Sequence, residues 1–327
     1  MAGRGSRLRP HTLTIPKPLI PVAGKPIVQR LVEDIVKVCG KEVDEIAFII
    51  GDFGKEVEES LVKIAEGLDA KGSIYYQDKP LGTAHAILCA QEALDGPTII
   101  AFADTLFRAD FKLDGNQDGI IWVQQIEDPS AFGVVKLNAN NEITDFVEKP
   151  DEFVSDLAII GIYYIKDGAQ LKTELQYLID NNIMDKGEYQ LTNALENLKA
   201  KGTTFVPGQV KEWLDCGNYA ATVYTNQRVL EFIKDDKIVA DSAKVVNSTV
   251  IEPCMLGEGV VIENSVVGTH VTLSAGCSVK NSILKNAIVY ENTSIENEVI
   301  ANSMIGNDVK LKGQMKEVSI GGFTTEK

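Results

Sequence analysis

From Leu256 to Leu311 apolar residues return every five or six positions: Leu256, Ile262, Val267, Leu273, Val279, Leu284, Val289, Ile295, Ile300, Ile305 and Leu311. A second, mostly apolar series lies four residues after each, from Val260 through Cys277, Ile288 and Thr293 to Val309. A helix repeats its face every 3.6 residues and a half-buried strand every second residue, so neither sustains this spacing. A coiled parallel β-solenoid does, because each short strand turns one apolar side chain inward before the chain rounds a corner. The Asn, Gly, Ser and Glu between the apolar positions suit such corners. A β-sandwich would instead show longer alternating strands at less regular spacing. Residues 237–327 are read as a separate solenoid domain.

The chain before it has a different texture. Ile27, Leu31, Ile35 and Val38 are at helical spacing, and the apolar run Glu45–Gly51 follows. Helical and extended patterns then alternate: a helix after Gly54, the extended Ser73–Gln77, a helix over Thr83–Leu94, and the buried-type strand Pro97–Asp104. This order implies an α/β domain with a parallel, doubly wound sheet over 1–236. From about 119 to 165 strands dominate; helices are expected at 168–181, 187–200 and 218–235.

Charge narrows the function. With 47 acidic against 32 basic side chains the net charge is −15, which argues against nonspecific binding to nucleic acid or to an anionic membrane. No apolar run reaches the ~18–20 residues of a membrane span, and the opening lacks the apolar stretch of a secretory signal. The five cysteines form no CxxC pair and read as buried thiols of a reducing, cytoplasmic compartment. Against this acidic background the first 32 residues hold Arg4, Arg7, Arg9, Lys17, Lys25 and Arg30 and no acid. A basic, Gly- and Pro-rich opening interleaved with Leu8, Leu13, Ile15, Leu19 and Ile20 suggests a pocket for a small, highly charged anion; the alternative is a solvated tail. Glycines such as Gly3 and Gly5 let backbone amides approach phosphate oxygens while Arg and Lys supply charge. The loop is neither a dinucleotide fingerprint, since Leu8 occupies the third glycine position, nor a Walker loop.

As a longer string, GRGSRLRPHTLTIPKPLIPVAGKP resembles the signature of sugar-1-phosphate nucleotidyltransferases. Further pieces agree in order: Gln77–Ala86 is similar to the base-recognition loop, Ala103-Asp104-Thr105 to a strand-end metal motif, Phe132–Val135 with Glu148-Lys149-Pro150 to a sugar-phosphate pocket, and Trp213–Gly217 to a second metal motif. The resemblance covers residues 1 to about 230, and the solenoid is similar to the left-handed β-helix tail of many members. It implies a Rossmann-like fold and a reaction joining a nucleoside triphosphate to a sugar 1-phosphate with release of pyrophosphate. By motif, Arg7 would hold the leaving pyrophosphate and Lys17 the phosphates near the reacting centre. Gly3, Gly5, Ser6, Gln77, Gly82 and Thr83 would bind the nucleotide; Gly133, Glu148, Lys149 and Asp156 the sugar phosphate; and Asp104 and Asp215 would hold Mg²⁺. The string Gly82–Ala86 with Ser155–Tyr163 is similar to long-form glucose-1-phosphate thymidylyltransferases, which implies dTTP and glucose 1-phosphate.

Each residue also has a plainer reading. A strand-end Asp is commonly a cap, Lys149 a turn lysine, Gln77 an edge-strand residue, Trp213 core, and His85 and His270 structural. UTP- or GTP-specific enzymes of this architecture remain open, as does a silent regulatory subunit, which would be expected to lose Arg7, Lys17 or one Asp. An acyltransferase with His270 as base is a further alternative. Three departures from the family pattern stand out: Ala103 for Gly, Thr105 for Asn or Asp, and Arg4 between the loop glycines. A short buried strand usually leads into this loop, so the native protein is expected to carry a few more apolar residues before Met1. The solenoid holds no transfer motif, so its removal near residue 236 is expected to spare the chemistry, while its flanks suggest a homo-oligomer.

Overall fold

The computed structural model describes residues 5–109, 112–314 and 317–322. Gly3, Arg4 and any strand ahead of Met1 lie outside the described residues. The contacts divide the chain into two compact units: residues up to Ile20 with Pro26–Gly217, and Pro21–Lys25 with the chain from Asn218 onward.

In the first unit the apolar spacing after Pro26 forms helix Ile27–Cys39, which buries Ile27, Val28, Leu31, Val32 and Val38 and ends on Gly40 at φ 58°. The Gly40 N–H still donates to Val36 O as in the helix body, and its left-handed φ, which glycine adopts without a side-chain penalty, then turns the chain out of the helix. The main sheet runs in the order Phe205–Gln209, Gly119–Gln125, Leu157–Ile165, Val134–Leu137, Ile143–Val147, with Thr98–Ala101 also paired to Leu157–Ile165. The expected parallel order is found between Gly119–Gln125 and Phe205–Gln209, and between Glu45–Ile50 and Lys71–Tyr76. Leu157–Ile165 is antiparallel to all three of its partners, so the sheet is mixed. Strand Thr105–Arg108 pairs antiparallel with Glu212–Asp215, which sets Thr105 opposite Asp215.

Two helices differ from the spacing-based expectation. The helix expected over 83–94 stops at Cys89 and continues as one tight turn at Gln91–Ala93. The helix expected from 187 starts at Leu191, because Gly187 is at φ 83° and the backbone of Tyr189 is engaged elsewhere: its N–H donates to Leu81 O and its carbonyl accepts from Ala84 N.

The second unit is the solenoid. Lys244–Val246, Val261–Glu263, Ser278–Lys280, Ser294–Glu296 and Lys310–Lys312 stack in parallel, with registers Val245–Ile262–Val279–Ile295–Leu311 that step by 17, 17, 16 and 16 residues. Two further faces stack the same way, one from Thr249–Ile251 and one from Cys254–Leu256. Three strands per coil turn 16 or 17 residues into the five-or-six spacing of the sequence. Leu256, Ile262, Val267, Leu273, Val279, Leu284, Val289 and Ile295 all point inward and are buried. The second series divides by face: Val260, Val271 and Ile288 are buried, whereas Val266, Ile283 and Val299 point outward.

One corner is an asparagine stack. Asn247, Asn264, Asn281 and Asn297 lie at φ 47–57°, the left-handed region asparagine tolerates. Each of the first three donates its side-chain N–H to the Oδ1 of the next, at 2.7, 3.3 and 3.2 Å. Helix Tyr219–Phe232, which the spacing had grouped with residues 1–236, belongs to this unit. It buries Val223, Asn226, Val229 and Leu230, and packs against strands Ile283–Val289 and Val299–Ile305.

Candidate active site

The phosphate-type loop is built by short turns. Gly5 sits at φ 58° and leads into the 3₁₀ turn Ser6–Leu8, where Leu8 is buried while Ser6 and Arg7 stay exposed. Thr12 Oγ1 donates to Gly5 O at 2.8 Å, and a Cβ on Gly5 would come within 2.9 Å of Thr12 Cγ2 and 3.1 Å of Lys17 Cβ. The loop is thus folded onto the turn Lys17–Leu19, and a side chain at position 5 would push Lys17 aside.

Lys17 Nζ lies 2.8 Å from Asp104 Oδ2, and its side chain is only 12 % exposed. Asp104 follows strand Thr98–Ala101, and its carbonyl accepts from Cys216 N at 2.8 Å, which brings the chain beside Asp215 onto it. Asp215 accepts from Gly217 N at 2.8 Å. Burial pushes the Asp215 carboxyl above its ordinary pKa and the negative charge of Asp104 adds to this; the Gly217 N–H, Lys17 and Arg7 oppose it. Residues far apart in sequence, Arg7, Lys17, Asp104 and Asp215, therefore act on one another in one place.

Two crowded carboxylates flanked by cationic side chains suit a hard divalent cation. Such an ion takes one or two carboxylates and leaves positions for phosphate oxygens. The Asp104–Asp215 repulsion is what a cation would relieve. Among the described residues no group of three or more His, Cys, Asp or Glu side chains is arranged to hold a metal, so an ion here would take the rest of its shell from water and substrate oxygens.

The base-loop residues form a second group. Gln77 Nε2 donates to Gly82 O at 3.1 Å. Gly82 is at φ 111°, and a Cβ there would lie 2.5 Å from Tyr189 O and 2.7 Å from Tyr189 N, so both conformation and space require glycine. The Thr83 hydroxyl accepts from Leu191 N at 2.9 Å and donates to Gln190 Oε1 at 3.3 Å, which staples the loop to the start of helix Leu191–Ala200.

The sugar-phosphate candidates divide. A Cβ on Gly133 would meet Glu148 Oε2 at 3.1 Å, so these two are neighbours. Glu148 is paired with Lys149 at 3.6 Å; burial raises its pKa, Lys149 opposes the shift, and Asp185 and Glu188 add to it. Lys149 is held at φ 40° by its own N–H to Phe132 O at 3.2 Å and by Lys186 Nζ, which donates to its carbonyl at 2.6 Å. Asp156 instead accepts from Gln125 Nε2 at 2.6 Å, and among the described residues no hydrogen bond or ion pair joins it to Gly133, Glu148 or Lys149. The sequence reading missed Phe132 as a partner of Trp213: their rings meet edge to face at 4.9 Å and tie the sugar-side loop to the Asp215 strand.

The pattern of a nucleotidyl transferase family matches residues 1–231, the span that holds all of these side chains. The chain belongs to the nucleotidyl transferase family. This transferase is 29 % identical over 320 residues to a glucose-1-phosphate thymidylyltransferase of Streptomyces antibioticus, covering 90 % of this chain and 86 % of the relative. It is 33 % identical over 261 residues to the low-salt glycan biosynthesis nucleotidyltransferase Agl11 of Haloferax volcanii, covering 74 % of this chain and 69 % of the relative. A bifunctional protein GlmU of Methanococcus maripaludis is 30 % identical, and the transferase spans 60 % of its length. Among solved structures, an apo UDP-glucose pyrophosphorylase superposes with a TM-score of 0.57 at 25 % identity, covering 71 % of this chain and 96 % of that one. Among the described residues no helix is long and apolar enough to cross a membrane.

Proposed function

We propose that this transferase joins a nucleoside triphosphate to a sugar 1-phosphate, with dTTP and glucose 1-phosphate as its substrates. The observation that carries the reading is the Lys17–Asp104 pair at 2.8 Å beside Asp215, within the electrostatic reach of Arg7. A phosphate oxygen of the sugar attacks the α-phosphorus; one P–O bond forms, the bond to the bridging oxygen breaks, and pyrophosphate leaves with the electron pair. Negative charge develops on the α-phosphate and on the leaving group, so fixed positive charge is the main catalytic resource. Lys17 meets the charge at the reacting centre, and Arg7 holds the leaving pyrophosphate. A divalent cation, proposed as Mg²⁺ on Asp104 and Asp215, would draw charge from the same phosphate oxygens.

Gln77 with the Gly82 backbone reads the base; Gly133, Glu148 and Lys149 receive the sugar phosphate. The thymidylyl assignment is supported by the Streptomyces relative, which is matched over nearly the whole of both chains. A uridylyl enzyme is the second reading, supported by the likeness to UDP-glucose pyrophosphorylase. Retention of Arg7, Lys17, Asp104 and Asp215 speaks against a silent regulatory subunit. The outward row Val266, Ile283 and Val299 supports self-association through the solenoid. A matrix of nucleoside triphosphates against sugar 1-phosphates, read by pyrophosphate release with and without EDTA, tests the proposal. The expected result is EDTA-sensitive release that is strongest with dTTP or UTP; absence of release from every pair overturns it.

A further inference from the structure

Hydrogen-bond logic fixes the orientation of Gln77. Its backbone N–H donates to Ile50 O at 2.8 Å, which anchors the residue at the end of strand Lys71–Tyr76. Its terminal amide then has one atom at 3.1 Å from Gly82 O and at 3.1 Å from His85 Nδ1. A carbonyl oxygen can only accept, so the atom facing Gly82 is the NH₂. An amide NH₂ can only donate, so His85 Nδ1 must present its lone pair, and the imidazole proton resides on Nε2. Burial, with the charge of Lys79 second, holds the His85 pKa below its ordinary value, so the ring is neutral near pH 7, as this tautomer requires. Cys89 Sγ lies 4.0 Å from the same Nδ1, and burial pushes its pKa up, so it stays a thiol that can add a second weak donor.

Both hydrogens of the Gln77 amide are thus committed to the protein. What is left is Oε1, which takes no hydrogen bond among the described residues. We propose that His85 is a positioning residue that, together with the Gly82 carbonyl, locks the Gln77 amide so that it offers a base an acceptor and never a donor. This rests on the reading that Gln77 faces the base.

The consequence is a specific discrimination between pyrimidines of equal size. Uracil and thymine carry an imide N3–H between two carbonyls and can donate to Oε1. Cytosine carries a lone pair at N3, which would face the Gln77 oxygen unpaired. His85 adds to the Gly82 carbonyl a second acceptor for the Gln77 amide, and the pair makes that difference permanent, because an amide free to rotate could serve either edge.

The test compares UTP with CTP on the full chain, using glucose 1-phosphate as co-substrate. Wild type should favour UTP by at least tenfold in kcat/KM. His85→Leu removes the Nδ1 acceptor and should lower the UTP/CTP ratio about three- to tenfold, the scale of one neutral hydrogen bond. The change should fall on KM for UTP and leave KM for the sugar 1-phosphate unmoved. His85→Asn, which restores an acceptor oxygen close to the Nδ1 position, should recover the ratio. An unchanged ratio in folded His85→Leu, or equal losses in both variants, overturns the proposal. A wild type that does not separate UTP from CTP, or Gln77→Ala that leaves their ratio unchanged, instead overturns the base-reading role of Gln77. The sequence has three histidines, so ¹⁵N NMR of the ring nitrogens reads the His85 tautomer independently of any variant: an Nε2–H ring supports the lock, and an Nδ1–H ring overturns it.

Discussion

Lys17 and Asp104 show how single residues are tuned to one another before any substrate is considered. At 2.8 Å with the lysine largely buried, each offsets the charge of the other, and Asp215 adds a second acid at the edge of the pair. Removing Asp104 leaves Lys17 without its 2.8 Å counter-charge, and removing either acid halves the carboxylate set. Asp104→Ala and Asp215→Ala should therefore each lower the rate of pyrophosphate release by about 10²–10³, the scale of losing one preorganised electrostatic group. Near-normal turnover in both variants would remove the metal assignment. Glu148 gives a second, pH-dependent prediction. Its raised pKa means that the folded chain binds this proton more tightly than the unfolded chain. The cost of its charge therefore appears as pH rises from the ordinary carboxylate range through the folded pKa, and it is complete above that. Glu148→Gln should raise the melting temperature at pH 7, with the gain vanishing below the ordinary carboxylate range. Scanning calorimetry of the two proteins across pH checks this; a gain that persists at low pH would assign it to packing. The same residues show what the sequence could convey. The motifs name Lys17, Asp104 and Asp215 because spacing along the chain carries them, but the Phe132–Trp213 contact and the Gln77–His85 hydrogen bond depend on side chains from separate elements meeting, which no spacing records.

Elements were legible where one period governed them. The solenoid repeat predicts its strands because each coil of 16 or 17 residues returns the same positions to the same face. The helix from Leu191 was legible only in part, since Tyr189 is claimed by Leu81 and Ala84 before a helix can start. The antiparallel course of Leu157–Ile165 was not legible, because a run of successive strands with no helix between them does not fix which strands pair: Leu157–Ile165 skips the strand before it in sequence and pairs with Val134–Leu137 and Gly119–Gln125. Register within the solenoid makes a quantitative prediction at this scale. Ile283 and Leu284 are neighbours in one strand, yet Leu284 is fully buried and Ile283 is 48 % exposed. Leu284→Ala should cost about 2–5 kcal/mol, as buried leucine truncations do. Ile283→Ala should stay within about 0.5 kcal/mol, as surface substitutions do. Denaturant titration of both variants measures the difference, and equal costs would mean that the outward row is covered.

At the scale of the whole molecule the chain crosses between its units more than once. Pro21–Lys25 belongs with the solenoid unit, although it follows Lys17 by only a few residues. The link is chemical. Asn226, wholly buried in helix Tyr219–Phe232, accepts at one oxygen from Ala23 N and from Thr272 Oγ1, both at 2.8 Å. One side chain thus ties the segment after the phosphate loop, the helix and a solenoid strand together. This alters the expectation that removing the solenoid near residue 236 spares the chemistry. That cut keeps Asn226 but takes away Thr272 and the strands against which Val229 and Leu230 pack. The helix would then expose an apolar face, and residues 21–25 would lose part of their anchor close to Lys17. Asn226→Ala in the full chain isolates the polar part of the effect. It removes the oxygen that accepts from both the Ala23 N–H and the Thr272 hydroxyl, at a cost of about 1–3 kcal/mol. The variant should unfold at lower temperature than wild type, and the chain ending at 236 at lower temperature still, with turnover lost as the segment after Lys17 loosens. A chain ending at 236 that melts with wild type and releases pyrophosphate at the wild-type rate would show that residues 21–25 hold their place unaided and that Asn226 serves the solenoid alone.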